Sequence, residues 1–251
     1  MTSENEFKIS LDTDKVIGSE PFARDFLAAW LSHPIEALRP ERFDRGEPVR
    51  KLIAEATFDQ LVAEWCKWAL MFTRRAKPRV VVSFRWRHEK GLDPKPYPWG
   101  LTAWIAKSAG SATARTFFDF LVEKFEPAFA SLTTQADSRA KHFTKWPHYV
   151  DGRHVGTAEA FKGHHVLDTL PGIYWVTFFG PPAIRRIGEE RLLSIPVGTT
   201  KRLGSGLTLT AFEDVAEIGT EKGAETESVL RTHLGEEHFF DLKSWTPPTR
   251  S

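Results

Sequence analysis

The chain has 251 residues, 41% of them hydrophobic and 27% charged, with a formal net charge of +1. That length admits one large domain or two small ones, and the composition is that of a soluble globular protein. The near-neutral balance supplies no bulk field for nucleic acid or a membrane surface.

A single cysteine, Cys66, excludes an internal disulfide framework and a cysteine metal cluster, and fits a reducing, cytoplasmic setting. The opening Met1-Thr2-Ser3-Glu4-Asn5-Glu6 has neither the basic nor the apolar region of a secretory signal. No apolar run reaches the length of a membrane span. Nine Trp and nineteen Phe imply a well-filled aromatic core or aromatic anchors at an interface.

Residues 1–20 are polar, with weak alternation at Phe7, Ile9 and Leu11. They fit a short edge strand or a loose arm, and the polarity favours the arm. Phe22, Phe26, Leu27 and Trp30 follow helical spacing, with Ser19 as cap, Pro21 in the first turn and His33-Pro34 as the stop. Residues 34–50 read as an irregular connection. Thr57–Thr73 reads as one helix with the stripe Phe58, Leu61, Val62, Trp65, Cys66 and Ala69. Thr57 and Gln60 have capping-box spacing, and Arg74, Arg75 and Lys77 suit a helix C-terminus.

Arg79–Arg87 alternates, with Val80, Val82, Phe84 and Trp86 inward. Trp99–Ala106 is a second strand, and the two form an antiparallel hairpin across a long loop. Ser111–Glu126 is a helix with Ala114, Phe117, Phe118, Leu121, Val122 and Phe125 on one stripe. Ala128–Thr134 fits a strand or a helical turn. Residues 135–170 read as a short helix and then a loop excursion. Ile173–Phe179 is apolar on both faces and predicts a central strand covered on both sides. Pro181-Pro182 opens a helix that Gly188 breaks.

Ile195–Leu203 and Leu207–Phe212 pair as a hairpin through Gly204-Ser205-Gly206. A helix near Glu225–Leu234 turns Val229, Leu230 and Leu234 inward, with Gly235 as its C-cap. Trp245–Ser251 is a tail. Strands joined mainly by hairpins predict an α+β fold over residues 1–251 as a single domain, a largely antiparallel sheet with helices packed on it.

The run Pro171-Gly172-Ile173-Tyr174-Trp175-Val176-Thr177-Phe178-Phe179-Gly180-Pro181-Pro182, with Gly188 and Leu192-Leu193-Ser194, resembles the signature of a family of bacterial immunity proteins. Those proteins neutralise polymorphic or type VI-secreted toxins in the cell that makes them. Glu41-Arg42-Phe43 with Glu47-Pro48-Val49-Arg50, the strand Arg74 to Trp86, and His233-Leu234-Gly235 with Phe239-Phe240-Asp241 resemble further blocks of that family. The resemblance implies a cytoplasmic, non-enzymatic binding protein without a cofactor. Its partner would be a cognate toxin, more loosely a nuclease of restriction-endonuclease-like fold.

Charge is unevenly distributed. Lys67 to Lys90 carries eight basic residues against one acidic, and Glu213 to Asp241 nine acidic against two basic. Such runs are usually solvated faces. A toxin with a basic substrate groove would meet the acidic stretch, so Glu213, Asp214, Glu217, Glu221, Glu225 and Glu227 are the candidate toxin contacts. The alternative is a metal-dependent hydrolase using His148, Asp151 and His154, whose spacing matches no established ligand pattern. Neither a nucleophile elbow nor a phosphate-cradling glycine loop occurs. Arg85 and Arg87 flanked by Trp86 and Trp104 suit an RNA platform, but the net charge does not favour nucleic acid.

Overall fold

The computed structural model describes residues 5–85, 99–150, 153–161 and 169–240. In chain order the elements are β1 (Glu6–Thr13), α1 (Glu20–Leu31), β2 (Arg42–Asp44), β3 (Lys51–Leu52), α2 (Phe58–Lys67), β4 (Met71–Arg74), β5 (Val80–Arg85), β6 (Trp99–Ala106), α3 (Ser111–Phe125), β7 (Phe129–Thr134), α4 (Gln135–His142), β8 (Phe143–Val150), β9 (Arg153–Phe161), β10 (Val176–Phe179), α5 (Pro181–Ile187), α6 (Glu189–Leu193), β11 (Thr199–Leu203), β12 (Gly206–Thr210) and α7 (Glu221–Leu234). Ten strands form one sheet in the order β11-β12-β10-β7-β1-β6-β5-β4-β2-β3, and β8 and β9 pair separately. All these strand pairs are antiparallel, so the fold is α+β as the hairpin-rich order of elements implies.

Residues 6–13 are neither an arm nor an edge. β1 sits mid-sheet, pairing with β6 from Glu6↔Ala106 to Thr13↔Trp99 and with β7 from Phe7↔Thr134 to Asp12↔Phe129. Its weak hydrophobic alternation reflects two unlike faces. Phe7, Ile9, Leu11 and Thr13 are buried, while Lys8, Ser10 and Asp12 on the other side are half-buried.

The apolar face carries α1, α2 and α3. Phe26 of α1 packs against Trp65 of α2, Phe84 of β5 and Phe125 of α3, with centroid separations of 5.5, 5.8 and 5.0 Å. Rings at these separations attract through their quadrupoles in addition to the area they bury. Buried indoles need a partner for N–H, and each finds a carbonyl: Trp30 donates to Leu38 at 2.8 Å, Trp65 to Ile17 at 2.7 Å and Trp175 to Phe212 at 3.1 Å. The aromatic surplus in the composition is thus largely core.

The helix expected over Thr57–Thr73 stops at Lys67. Thr57 and Gln60 do form the capping box, but Met71–Arg74 continues as β4, paired with β5. Met71 and Phe72 therefore belong to a strand, and Arg74 pairs with Glu41 at 3.1 Å instead of capping a helix. β5 and β6 pair antiparallel as expected, from Val80↔Ile105 to Arg85↔Gly100; Trp86 and Arg87 lie outside the described residues. Phe129–Thr134 is a strand, buried throughout.

The segment after α4 is a β-hairpin, β8 with β9, where a loop was expected. The central strand is shorter than expected: Val176–Phe179 is paired on both sides, by β12 and β7, while Pro171–Trp175 is buried without joining the ladder. The hairpin β11–β12 forms as expected, but it turns through Gly204 and Ser205 alone: Gly206 pairs with Leu203, and β11 starts at Thr199, not Ile195. α7 begins at Glu221, one turn before its predicted start, because Thr220 accepts from the Gly223 N–H at 3.1 Å and caps it there. Val229 points outward, 43% exposed, where its predicted place was the core. The segment 245–251 lies outside the described residues.

Candidate functional site

The face of the sheet opposite α1–α3 is polar across its centre. Thr177, Ser131, Ser10, Thr102 and Ser83 stand in register on β10, β7, β1, β6 and β5. One register row away, Lys8 faces Thr133 on one side and Trp104 on the other. Helix α4 closes one end of this face. Lys8 Nζ donates to Ser138 Oγ at 2.9 Å, and Trp104 Nε1 donates to Gln135 Oε1 at 3.2 Å. Burial and the nearby Arg85 guanidinium lower the Lys8 pKa below the usual ammonium range.

Arg85 Nη2 meets Asp12 Oδ1 at 3.3 Å. Gly100 lies beneath that pair, and a Cβ there would stand 2.5 Å from Leu11 O and 3.1 Å from Arg85 Nη2. The arginine proposed for an RNA platform is thus held by an acid on the neighbouring sheet surface.

Beside this face lies a polar cluster in which Glu227 is the one expected site residue. Lys141 Nζ bridges Asp137 Oδ1 at 2.5 Å and Glu227 Oε2 at 3.1 Å. Thr133 Oγ1 donates to Asp137 Oδ2 at 2.6 Å, and the Ile173 N–H donates to Glu227 Oε1 at 3.2 Å. Tyr174 is fully buried, with its hydroxyl 2.9 Å from His142 Nε2. Burial, then the carboxylates of Asp137, Glu227 and Asp12, push its phenol well above the usual range and keep it protonated. Every charge in the cluster has a partner, so the arrangement acts as a tie between α4, α7 and the Pro171–Trp175 segment. The i,i+4 spacing of Asp137 and Lys141 on a helix was its one local signal.

The six candidate toxin contacts separate into two groups. Glu227 is turned inward to Lys141. Asp214 accepts from the Ala216 N–H at 2.9 Å and shares a capping box with Glu217. Glu217 also pairs with Lys222 at 2.9 Å, and that hydrogen-bonded ammonium holds its carboxyl below the usual range. Glu213, Glu221 and Glu225 are exposed, with no ion pair among the described residues. Glu221, Glu225 and Val229 lie four residues apart along α7. Leu193 of α6, 49% exposed, is close by, since Ser194 Oγ stands 3.5 Å from Nε2 of His233, one turn beyond Val229.

Of the alternative metal triad, Asp151 lies outside the described residues, as do the side chains of His148 and His154. The backbone places His148 opposite Gly156 and His154 opposite Tyr149. Among the described residues no group of three or more His, Cys, Asp or Glu could hold a metal ion. Cys66 is half-buried in α2, and burial raises its thiol pKa, which disfavours the thiolate. No described helix is long and apolar enough to cross a membrane.

No family model and no curated protein matches the chain. Among solved structures it resembles Pseudomonas aeruginosa T6SS protein PA0821, with a TM-score of 0.55 and 11% identity, over 93% of this chain and 73% of that one. At that identity the likeness is one of fold.

Proposed function

We propose that this chain is an immunity protein that binds a cognate secreted toxin, of the polymorphic or type VI kind, in the cytoplasm of the cell that makes it. The observation that carries the reading is the fold shared with a T6SS protein over nearly the whole chain, joined to the Pro171–Pro182 block that resembles immunity proteins. That block supplies framework: Ile173, Tyr174, Val176, Thr177, Phe178 and Phe179 are fully buried, so contact with a partner falls to other residues.

The toxin contacts are Glu213, Glu221 and Glu225 with the exposed Val229 and Leu193 beside them. Carboxylates around small apolar anchors suit a basic protein surface, such as the substrate groove of a nuclease. Complementary charge speeds encounter and rejects wrong partners, while the apolar anchors lengthen the bound lifetime. Activity comes from occupying the partner, with no reaction on this chain.

Co-expression with the toxin encoded beside its own gene tests this. Growth should be rescued and a complex should co-purify. Purified protein that turns over a substrate unaided, or toxicity unchanged by co-expression, overturns the reading.

A further inference from the structure

The polar face of the sheet holds a cavity of about 180 Å³ at the end nearest α4. Its floor is Met71 of β4, Val81 of β5 and the Trp104 indole of β6, and Gln135 at the start of α4 forms one wall. Glu6 of β1 and Glu47, from the connection between β2 and β3, contribute two carboxylates, and the exposed Arg79 completes the lining. Neither Glu6 nor Glu47 has an ion pair among the described residues. The lining thus carries two negative charges against one positive.

We propose that this cavity receives a cationic side chain, an arginine in preference to a lysine, from the partner protein. The proposal rests on the reading of this chain as a protein-binding inhibitor. Size argues for a single side chain, since pockets for drug-sized molecules or cofactors run to roughly 300–1,000 Å³. Chemistry argues for guanidinium. It is planar and weakly hydrated, stacks on an indole, and offers its edge to carboxylates. Trp104 is fixed for that role, because its Nε1 is already committed to Gln135 at 3.2 Å. Lys8, on the same register row, competes little: its amine is turned to Ser138, and burial disfavours its charged form. The cavity and the exposed edge of α7 carry the same sign of complementarity.

The test uses the full chain without any toxin, following the Trp104 indole N–H signal by NMR, identified by its loss in Trp104→Phe. Titration with N-acetyl-arginine amide should shift that signal saturably in the millimolar range. The Glu6→Gln/Glu47→Gln double variant should weaken the response about tenfold or more, with the remaining spectrum unchanged. N-acetyl-norleucine amide and N-acetyl-aspartate amide should leave the signal in place. A response of equal size to either control, or no saturable response to the arginine probe, overturns the proposal. Because no toxin is present, that result is separate from the outcome of co-expression.

Discussion

Lys141 Nζ lies 3.1 Å from Glu227 Oε2, joining α4 to α7 across 86 residues of sequence. Their side chains are 12% and 23% exposed, so this pair is far less screened than those on the surface. The second Glu227 oxygen accepts the Ile173 N–H, which ties the immunity-like block to the same point.

Glu227→Gln should therefore lower stability by about 1–3 kcal/mol, since it removes one of the two carboxylates that neutralise a nearly buried ammonium. Denaturant titration should show a lower midpoint at constant slope. Glu221→Lys and Glu225→Lys should leave the midpoint nearly unchanged while slowing association with the toxin. That contrast separates the framework carboxylate from the contacting ones, and equal loss of stability in all three variants would erase the distinction.

Removal of residues 1–13 should abolish cooperative folding. β1 carries ladders on both sides, so its loss leaves β6 and β7 with open edges in the middle of the sheet. Circular dichroism and a thermal melt of the truncated chain check this; a native-like melt would mean that the remaining strands close the gap.

Gly180→Ala should cost about 1–3 kcal/mol, as overpacking against rigid atoms does. A Cβ at that position would stand 2.1 Å from Pro127 O and 2.9 Å from Ala128 Cα, both backbone. Gly180 N–H also donates to Ala128 O at 3.1 Å, so the two chain segments are held in contact there. A melting temperature equal to wild type would show that the segments move apart freely.

His33 gives the protein a defined acid sensitivity. The ring is 5% exposed, meets Phe120 edge-on at 5.0 Å, and its Nδ1 accepts the Ile35 N–H at 3.1 Å. Burial lowers its pKa below the ordinary 6.5, so between the two values the unfolded chain binds more protons. Its contribution is fully present above about pH 6.5 and is lost as pH falls through the folded value. His238 shifts in the same direction, also chiefly through burial. Stability measured from pH 7.5 to 5 should fall, and His33→Gln should flatten that slope; an unchanged slope would assign the sensitivity to other groups.

Where a signal is local, the residues alone predict the outcome. Thr57 and Gln60 cap α2 because both partners lie within one turn. Val80, Val82 and Phe84 face the core because side chains alternate along any strand. Gly204 and Ser205 turn a hairpin because Gly204 takes the left-handed backbone, φ 53°, that glycine adopts without strain. The antiparallel α+β class followed from such local units joined in order.

Long-range packing places β1 in the centre, takes Met71–Arg74 out of the helix into the sheet, and turns Glu227 inward while Glu221 and Glu225 stay outside. In each case the deciding energy comes from a partner distant in sequence: strands β6 and β7 for β1, strand β5 for Met71–Arg74, and Lys141 for Glu227. A periodic pattern records which residues are apolar, but not which remote ladder or charge will claim them.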